Sequence, residues 1–204
     1  MGRKPGVSRE QTRSLLLEAG ARVFALKGYD GASISDITTE AGLSSGSVYT
    51  HYEGKAQLFI AVLREHAHDE FGQLMQLPAS TPEKKGRKKA DVADFVEAVG
   101  SSYSHLAPDA GTLITEVIVA AKRHPEVAEL VHEWILESEG FFADLVRAGQ
   151  YDGAITSKVS ALALSRFVMM VALGARTTSA LALPEVDQKE WSDLIERLVN
   201  SVRS

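Results

Sequence analysis

The stretch GLSSGSVYTHYEGK, residues 42–55, places three serines, a threonine, two tyrosines, a histidine and a lysine within fourteen residues. Such side chains offer hydroxyl donors and acceptors, an imidazole and a fixed cation. They are not laid out for covalent chemistry, since no nucleophile elbow and no glycine-rich phosphate loop appears. The chain has no cysteine, which excludes disulfides, thiolate zinc sites and cysteine nucleophiles. What hydroxyls grouped around a glycine can do is meet a polar surface at close range. Ser and Tyr hydroxyls suit phosphate oxygens, the methyl of Thr50 suits thymine, and Gly46 lets backbone approach base edges.

Two helices must position these groups. Ser33 with Asp36 is an N-cap signature for a short helix through Ile37 and Ala41, which Gly42 stops. Ser44 or Ser45 caps the next helix, which is expected to end near residues 53–54. Two short helices joined by a glycine turn describe a helix-turn-helix. Ile37, Ala41, Leu43 and Val48 would hold the pair together. Ser45, Gly46, Ser47, Tyr49, Thr50 and His51 would then face outward, as a major-groove recognition helix requires. Corners of this kind, capped by serines, also occur in all-α proteins that never meet DNA, and the residues alone leave both readings open.

Charge is distributed in keeping with contact at one end. The formal net charge of the 204 residues is −5, yet residues 1–55 carry seven Lys/Arg against six Asp/Glu, a net of +1. The remainder carries 15 against 21, a net of −6. Arg3, Lys4, Arg9 and Arg13 face only Glu10 in the first thirteen residues, so a basic arm leads an acidic body. That arm is polar throughout and does not resemble a secretory signal, and a reducing, cytoplasmic setting fits the lack of cysteine.

The rest of the chain reads as helices. Ser8 with Gln11 is a capping box for a first helix carrying Leu16, Ala19, Gly20, Val23 and Phe24, with Gly28 and Gly31 as turn residues after it. A long fourth helix is expected over 55–77. The segment PASTPEKKGRKKAD follows as a linker, whose KKGRKK run reads as a solvated loop: the fourth helix carries it roughly 35 Å from the recognition helix. Further helices are expected over 91–106, 109–123, 125–148 and 157–181, with Gly149 just past a helix end. Asp187 with Glu190 reads as another capping box, opening a last helix whose Trp191, Leu194, Ile195, Leu198, Val199 and Val202 form an apolar stripe.

Residues 12–59 resemble the DNA-binding domain of the tetracycline-repressor (TetR) family. The carrying strings are TRSLLLEAGARVFALKGYDGASISDI and AGLSSGSVYTHYEGKAQLF. The resemblance implies a role for each matching position. Ser33 would cap the second helix and touch phosphate, and Ser35 stands where a base-reading side chain is usual. Ser45, Gly46, Ser47 and Thr50 would line the groove, with Tyr49 and Lys55 on phosphates, His51 beside Tyr52 as an aromatic pair, and Ser44 a further DNA-binding candidate. Thr38 and the short Ser35 depart from the family pattern, which bears on base specificity and not on the fold. The resemblance also implies a homodimer formed by the last two long helices.

Other constellations are weaker. His66 and His68, two apart on a helix, point about 200° from each other and cannot chelate one metal. No metal site, cofactor or catalytic residue is expected, and an enzyme would need a convergent polar site that the sequence does not offer. Residues 159–175 are apolar on nearly every face, too short and interrupted by Arg166 to span a membrane. Such a helix needs apolar cover on two sides, and a second copy is the simplest partner. Phe71, Met75, Tyr103, Trp134, Phe141, Phe167 and Met170 are candidates for an apolar effector pocket, against ordinary core filling.

Together these features predict an all-α chain of about nine helices. Residues 1–55 would form the arm and helix-turn-helix head, and residues 56–204 an effector-binding and dimerisation body. The expected function is DNA-binding regulation, most simply repression from a palindromic operator relieved by an apolar or neutral small molecule. The alternative is a same-fold activator, or a ligand-binding protein without specific operator readout.

Overall fold

The computed structural model describes residues 8–76, 108–179, 181 and 186–203, without the side chains of 68–76, 108–111, 176, 179 and 188. The expected helix over 91–106, the KKGRKK run and Tyr103 lie outside the described residues, as do the side chains of Phe71 and Met75.

Eight helices make up the described fold: α1 (Arg9–Gly31), α2 (Ile34–Glu40), α3 (Gly46–Tyr49), α4 (Lys55–Gln76), α5 (Pro108–Arg123), α6 (Pro125–Tyr151), α7 (Ala161–Ser179) and α8 (Gln188–Val202). The architecture is all-α, and an isolated bridge between Ile155 and Arg203 is the extended pairing seen among the described residues. No helix among them is long and apolar enough to cross a membrane.

The chain divides into two compact units. One comprises Met1–Asp69 with Thr112–Glu133, the other Glu70–Gly111 with Trp134–Ser204.

The first unit is organised by α1. Ser8 and Gln11 form the expected capping box, the Ser8 hydroxyl accepting from the Gln11 N–H and the Gln11 side chain accepting from the Ser8 N–H. Leu16, Ala19, Val23 and Phe24 are buried at helical spacing. The Phe24 ring lies 4.6 Å from that of Phe59 on α4, and Tyr29 completes the aromatic cluster 5.1 Å from Phe59. At Gly20 the two helices leave no room for a side chain, since an added Cβ would come within 2.8 Å of Val62 Cγ2. Gly28 breaks the helical geometry with φ 68, yet helical hydrogen bonding resumes and carries α1 on to Gly31. α2 opens on a second capping box, Ser33 with Asp36, and is joined to α1 by Lys27–Asp36 (2.7 Å) and Arg22–Glu40 (2.8 Å).

In the second unit, α6 runs three residues beyond the expected end at 148, to Tyr151. Gly149 is therefore inside the helix, where it makes room for Ile155: a Cβ there would meet Ile155 Cδ1 at 2.8 Å. Ile155 and Val146 are buried together, with Ala161 and Leu164 against them. Glu139 on α6, 4% exposed, receives both Nε and Nη2 of Arg166 on α7, so the cation inside the apolar run has an ion-pair partner. Asp187 caps α8 through the N–H groups of Lys189 and Glu190. The apolar stripe of α8 divides along its length: Ile195 and Val199 are buried with Trp191 against them, while Leu194 and Leu198 are exposed.

Candidate nucleic-acid interface

α2 and α3 are held from behind by two residues with no exposed surface, Ile37 and Val48. The turn between them uses Gly42 at φ 66, a left-handed conformation that favours glycine. It is closed by Gly42 N–H to Thr39 C=O at 3.1 Å and Leu43 N–H to Thr38 C=O at 2.8 Å. Thr38 is itself buried, and its hydroxyl donates to the Ser35 carbonyl at 3.3 Å. A hydroxyl at this interior position is thus satisfied locally, and the fold accepts it without rearrangement.

α3 is shorter than the expected span ending near residue 53: only Gly46–Tyr49 is α-helical. Tighter turns end it, with His51 N–H and Tyr52 N–H both donating to the Val48 carbonyl at 2.9 Å. Thr50, His51, Tyr52 and Gly54 are all poor helix formers, which is why the ladder stops there. Ser45 occupies the N-cap position without a side-chain capping bond, while Ser44 and Ser47 share a hydroxyl–hydroxyl bond of 3.2 Å.

Ser35, Ser44, Ser45, Gly46, Tyr49 and Thr50 are exposed, Tyr49 to 61%. Ser47 and His51 are half-buried on the same segment. The Thr50 hydroxyl donates to the Ser47 carbonyl at 2.7 Å, which leaves its methyl as the group it can offer a base. An added Cβ at Gly46 would meet nothing closer than 3.9 Å. The chain itself therefore does not need glycine there, and the missing side chain leaves space on the outer surface.

Two expected contact residues have other partners as well. The Ser33 hydroxyl bonds the Asp36 N–H and carboxylate, so it caps α2 as expected. The Lys27 ammonium and the Ser33 hydroxyl and N–H hold the Asp36 carboxyl down at about 2. Lys55 is turned toward the end of α1: its ammonium donates to the Tyr29 carbonyl at 2.8 Å and the Ala32 carbonyl at 3.1 Å, and lies 4.3 Å from the Tyr29 ring centre. Of its three N–H bonds, one is left for an outside acceptor.

Arg9 is a residue that the motif reading passed over. Its Nη2 donates to the Thr50 carbonyl at 3.3 Å, tying the start of α1 to the residue that follows α3. The one available signal was its place in the basic arm. Arg13 is paired with Glu65 at 3.0 Å and Glu10 at 3.5 Å. Partial burial, then Arg9 and Arg13, push the His51 imidazole below its ordinary value, favouring its neutral form.

Against the expectation that no nucleophile elbow appears, the letters Gly42, Leu43, Ser44, Ser45 and Gly46 do match the spacing of one. The context is wrong for it. That device needs a strand-to-helix turn, and here two helices flank the serine, whose hydroxyl is bonded to Ser47.

The candidate effector residues with described side chains lie on α6 and α7. Trp134 is half-buried, whereas Phe141, Phe167 and Met170 expose 52%, 49% and 66% of their surface. In the single chain these three are open to solvent.

Residues 16–62 match the family described as bacterial regulatory proteins, tetR family. Over 156 residues the chain is 28% identical to the HTH-type transcriptional repressor KstR2 of Rhodococcus jostii, spanning 76% of this chain and 74% of that protein. Over 117 residues it is 31% identical to the HTH-type transcriptional activator FasR of Mycolicibacterium smegmatis, spanning 56% of this chain and 52% of that protein. Salmonella enterica GusR shares the fold with a TM-score of 0.71 at 18% identity, over 93% of this chain and 94% of that one.

Proposed function

We propose, from the premise that the chain is a DNA-binding transcriptional regulator of the TetR family, that it is a homodimeric repressor released from a palindromic operator by a small molecule. The supporting observation is the outer surface of α2 and α3. Small and hydroxyl-bearing residues are exposed there, while Ile37 and Val48 anchor the segment from behind. That is the surface a major-groove reader needs. Ser35, Ser45, Gly46 and Thr50 meet base edges in this reading. Ser33, Ser44, Ser47, Tyr49, His51 and the remaining N–H of Lys55 meet phosphates.

The dimer is formed by α7 and α8. Leu162, Phe167, Met170 and Leu173 on α7 and Leu194 and Leu198 on α8 are exposed apolar side chains, which a second copy would cover. The two recognition helices then lie about 34 Å apart, one turn of the duplex. An apolar or neutral effector binds among the α-helices of the body near Trp134. It favours a conformation in which α4 carries the heads out of register, and it weakens DNA binding only through that preference. A second reading, activation, has one specific motive: the relative at 31% identity is described as an activator.

The test starts with selection of bound duplexes from random DNA by the full chain. A palindromic consensus is expected, bound far more tightly than bulk DNA at physiological salt. Compounds are then screened for thermal stabilisation and for release of that duplex together. Absence of any sequence preference would overturn the operator reading. Binding without any releasing compound would overturn the sensing role alone.

A further inference from the structure

Polar groups from α4, from α5 and from the junction between α5 and α6 converge on the kinked last turn of α1, which leads into α2. Within the turn, Gly28 adopts φ 68 and ψ 175, which interrupts the helical ladder just before Tyr29. The Tyr29 N–H donates to Glu116 Oε1 on α5 at 2.6 Å. A side chain at residue 28 would occupy that place, since a Cβ there would come within 2.9 Å of Glu116 Oε1. The next residue, Asp30, holds the junction between α5 and α6. Its Oδ2 accepts from Arg123 Nη1 at 2.9 Å, and its Oδ1 lies 2.6 Å from His124 Nε2. The carboxylate can only accept, so Nε2 is the donor. Arg123 and then His124 hold the Asp30 carboxyl below its usual range. The His124 ring stands edge-on to Tyr29, 5.0 Å between centroids. From α4, Lys55 takes the carbonyls of Tyr29 and Ala32.

The bland account is a set of surface ion pairs, and exposed pairs contribute little on their own. Asp30 and Arg123 are both substantially exposed. Glu116 is of another kind, because its partner is the backbone of Tyr29, a residue 3% exposed. A carboxylate that fixes a backbone N–H fixes the path of the chain. The path in question leads within four residues into the cap of α2. Residues 112–133 also fold in one compact unit with the helix-turn-helix, although the sequence places them some 80 residues further on.

We propose that Glu116 and the Asp30–Arg123–His124 cluster are positioning residues for DNA recognition. They set the α1–α2 turn, and through it the angle at which α2 and α3 are presented, so that α5 and the start of α6 govern operator affinity without touching DNA. The inference rests on the operator reading above and adds a control point for it distinct from α4.

The test uses the full chain and the highest-affinity duplex recovered by selection with the wild type, with bulk DNA as the second probe. If the wild type selects no duplex, the operator reading itself has failed, independently of the positioning residues. With a duplex in hand, Glu116→Ala and Asp30→Ala should each weaken operator binding about tenfold, within the range usual for coupled sites. Affinity for bulk DNA, thermal stability and oligomeric state should stay near wild type. Glu116→Gln keeps an oxygen acceptor for Tyr29 N–H and should retain most of the affinity. Asp30→Arg should lose operator binding, and combining it with Arg123→Asp should recover much of it. Should Glu116→Ala fail to fold, the charge-exchanged pair decides alone. Wild-type operator affinity in Asp30→Ala and Asp30→Arg would overturn the proposal. So would a loss on operator and bulk DNA in parallel with stability, or no recovery in the exchanged pair.

Discussion

Gly46 separates what the fold needs from what the proposed DNA contact needs. Glycine within a helix weakens it relative to alanine by roughly 0.5–1 kcal/mol, and nothing in the chain lies close enough to forbid a methyl group there. Gly46→Ala should therefore raise thermal stability slightly while weakening operator binding, the two measured by melting and by titration of a fluorescent duplex. Equal or tighter binding by the alanine variant would mean that DNA does not approach this backbone. Asp36 allows a test by pH. Its carboxyl is lowered from 3.8 to about 2 by Lys27 and Ser33. A depressed folded value means that its contribution is present above the unfolded value and is lost as pH falls from about 4 toward 2. Acid unfolding of the wild type should thus be steeper across that window than acid unfolding of Asp36→Asn, as followed by circular dichroism.

Among elements, α1 and α4 meet closely at Gly20. Gly20→Ala places a methyl 2.8 Å from Val62 Cγ2, and the branched valine has little freedom to turn away. Such overpacking costs about 1–3 kcal/mol, so the variant should melt earlier in denaturant, with an unchanged midpoint counting against this packing. The helix starts were legible in the sequence because caps are local: Ser8 with Gln11 and Ser33 with Asp36 stand as the residues imply. α3 was overestimated, since serines announce a helix start but do not say how soon weak helix formers end it. Gly149 misled for a related reason: a glycine past a helix end and a glycine making room for Ile155 look alike in sequence. Asp30 and Arg123 could not be paired beforehand, because 93 residues separate them and neither belongs to a periodic pattern. Nor does a sequence reveal that the ammonium of Lys55 bends back onto α1. The serines and threonine of the candidate interface were legible as a group, but the internal bonds that occupy several of them were not.

For the molecule as a whole, the exposed apolar side chains of α7 and α8 would find cover in the proposed dimer. Met170 is 66% exposed in the single chain. Met170→Asp should leave the fold intact, and in a dimer it would bury an unpaired charge. Sedimentation should then report a monomer where the wild type should run as a dimer. Operator affinity should fall by about 100-fold or more, because each head would bind without a tethered partner. A wild type that sediments as a monomer at micromolar concentration would rule out this assembly.

A four-residue helix such as α3 cannot hold itself together, since isolated helices shorter than about 12–15 residues are marginal in water. α3 has its shape from Val48, from Gly42 and from backbone bonds of the turns at its ends. The side chains of Ser35, Ser45 and Tyr49 make no hydrogen bond with the described residues. Their identities are therefore uncoupled from folding. Mutations at those positions can drift through many residue types while the scaffold stays sound, so lineages could acquire new operators without passing through unfolded intermediates. A short, externally braced reading element is in this sense an evolvable address label, rewritten at its surface while the protein that carries it is preserved.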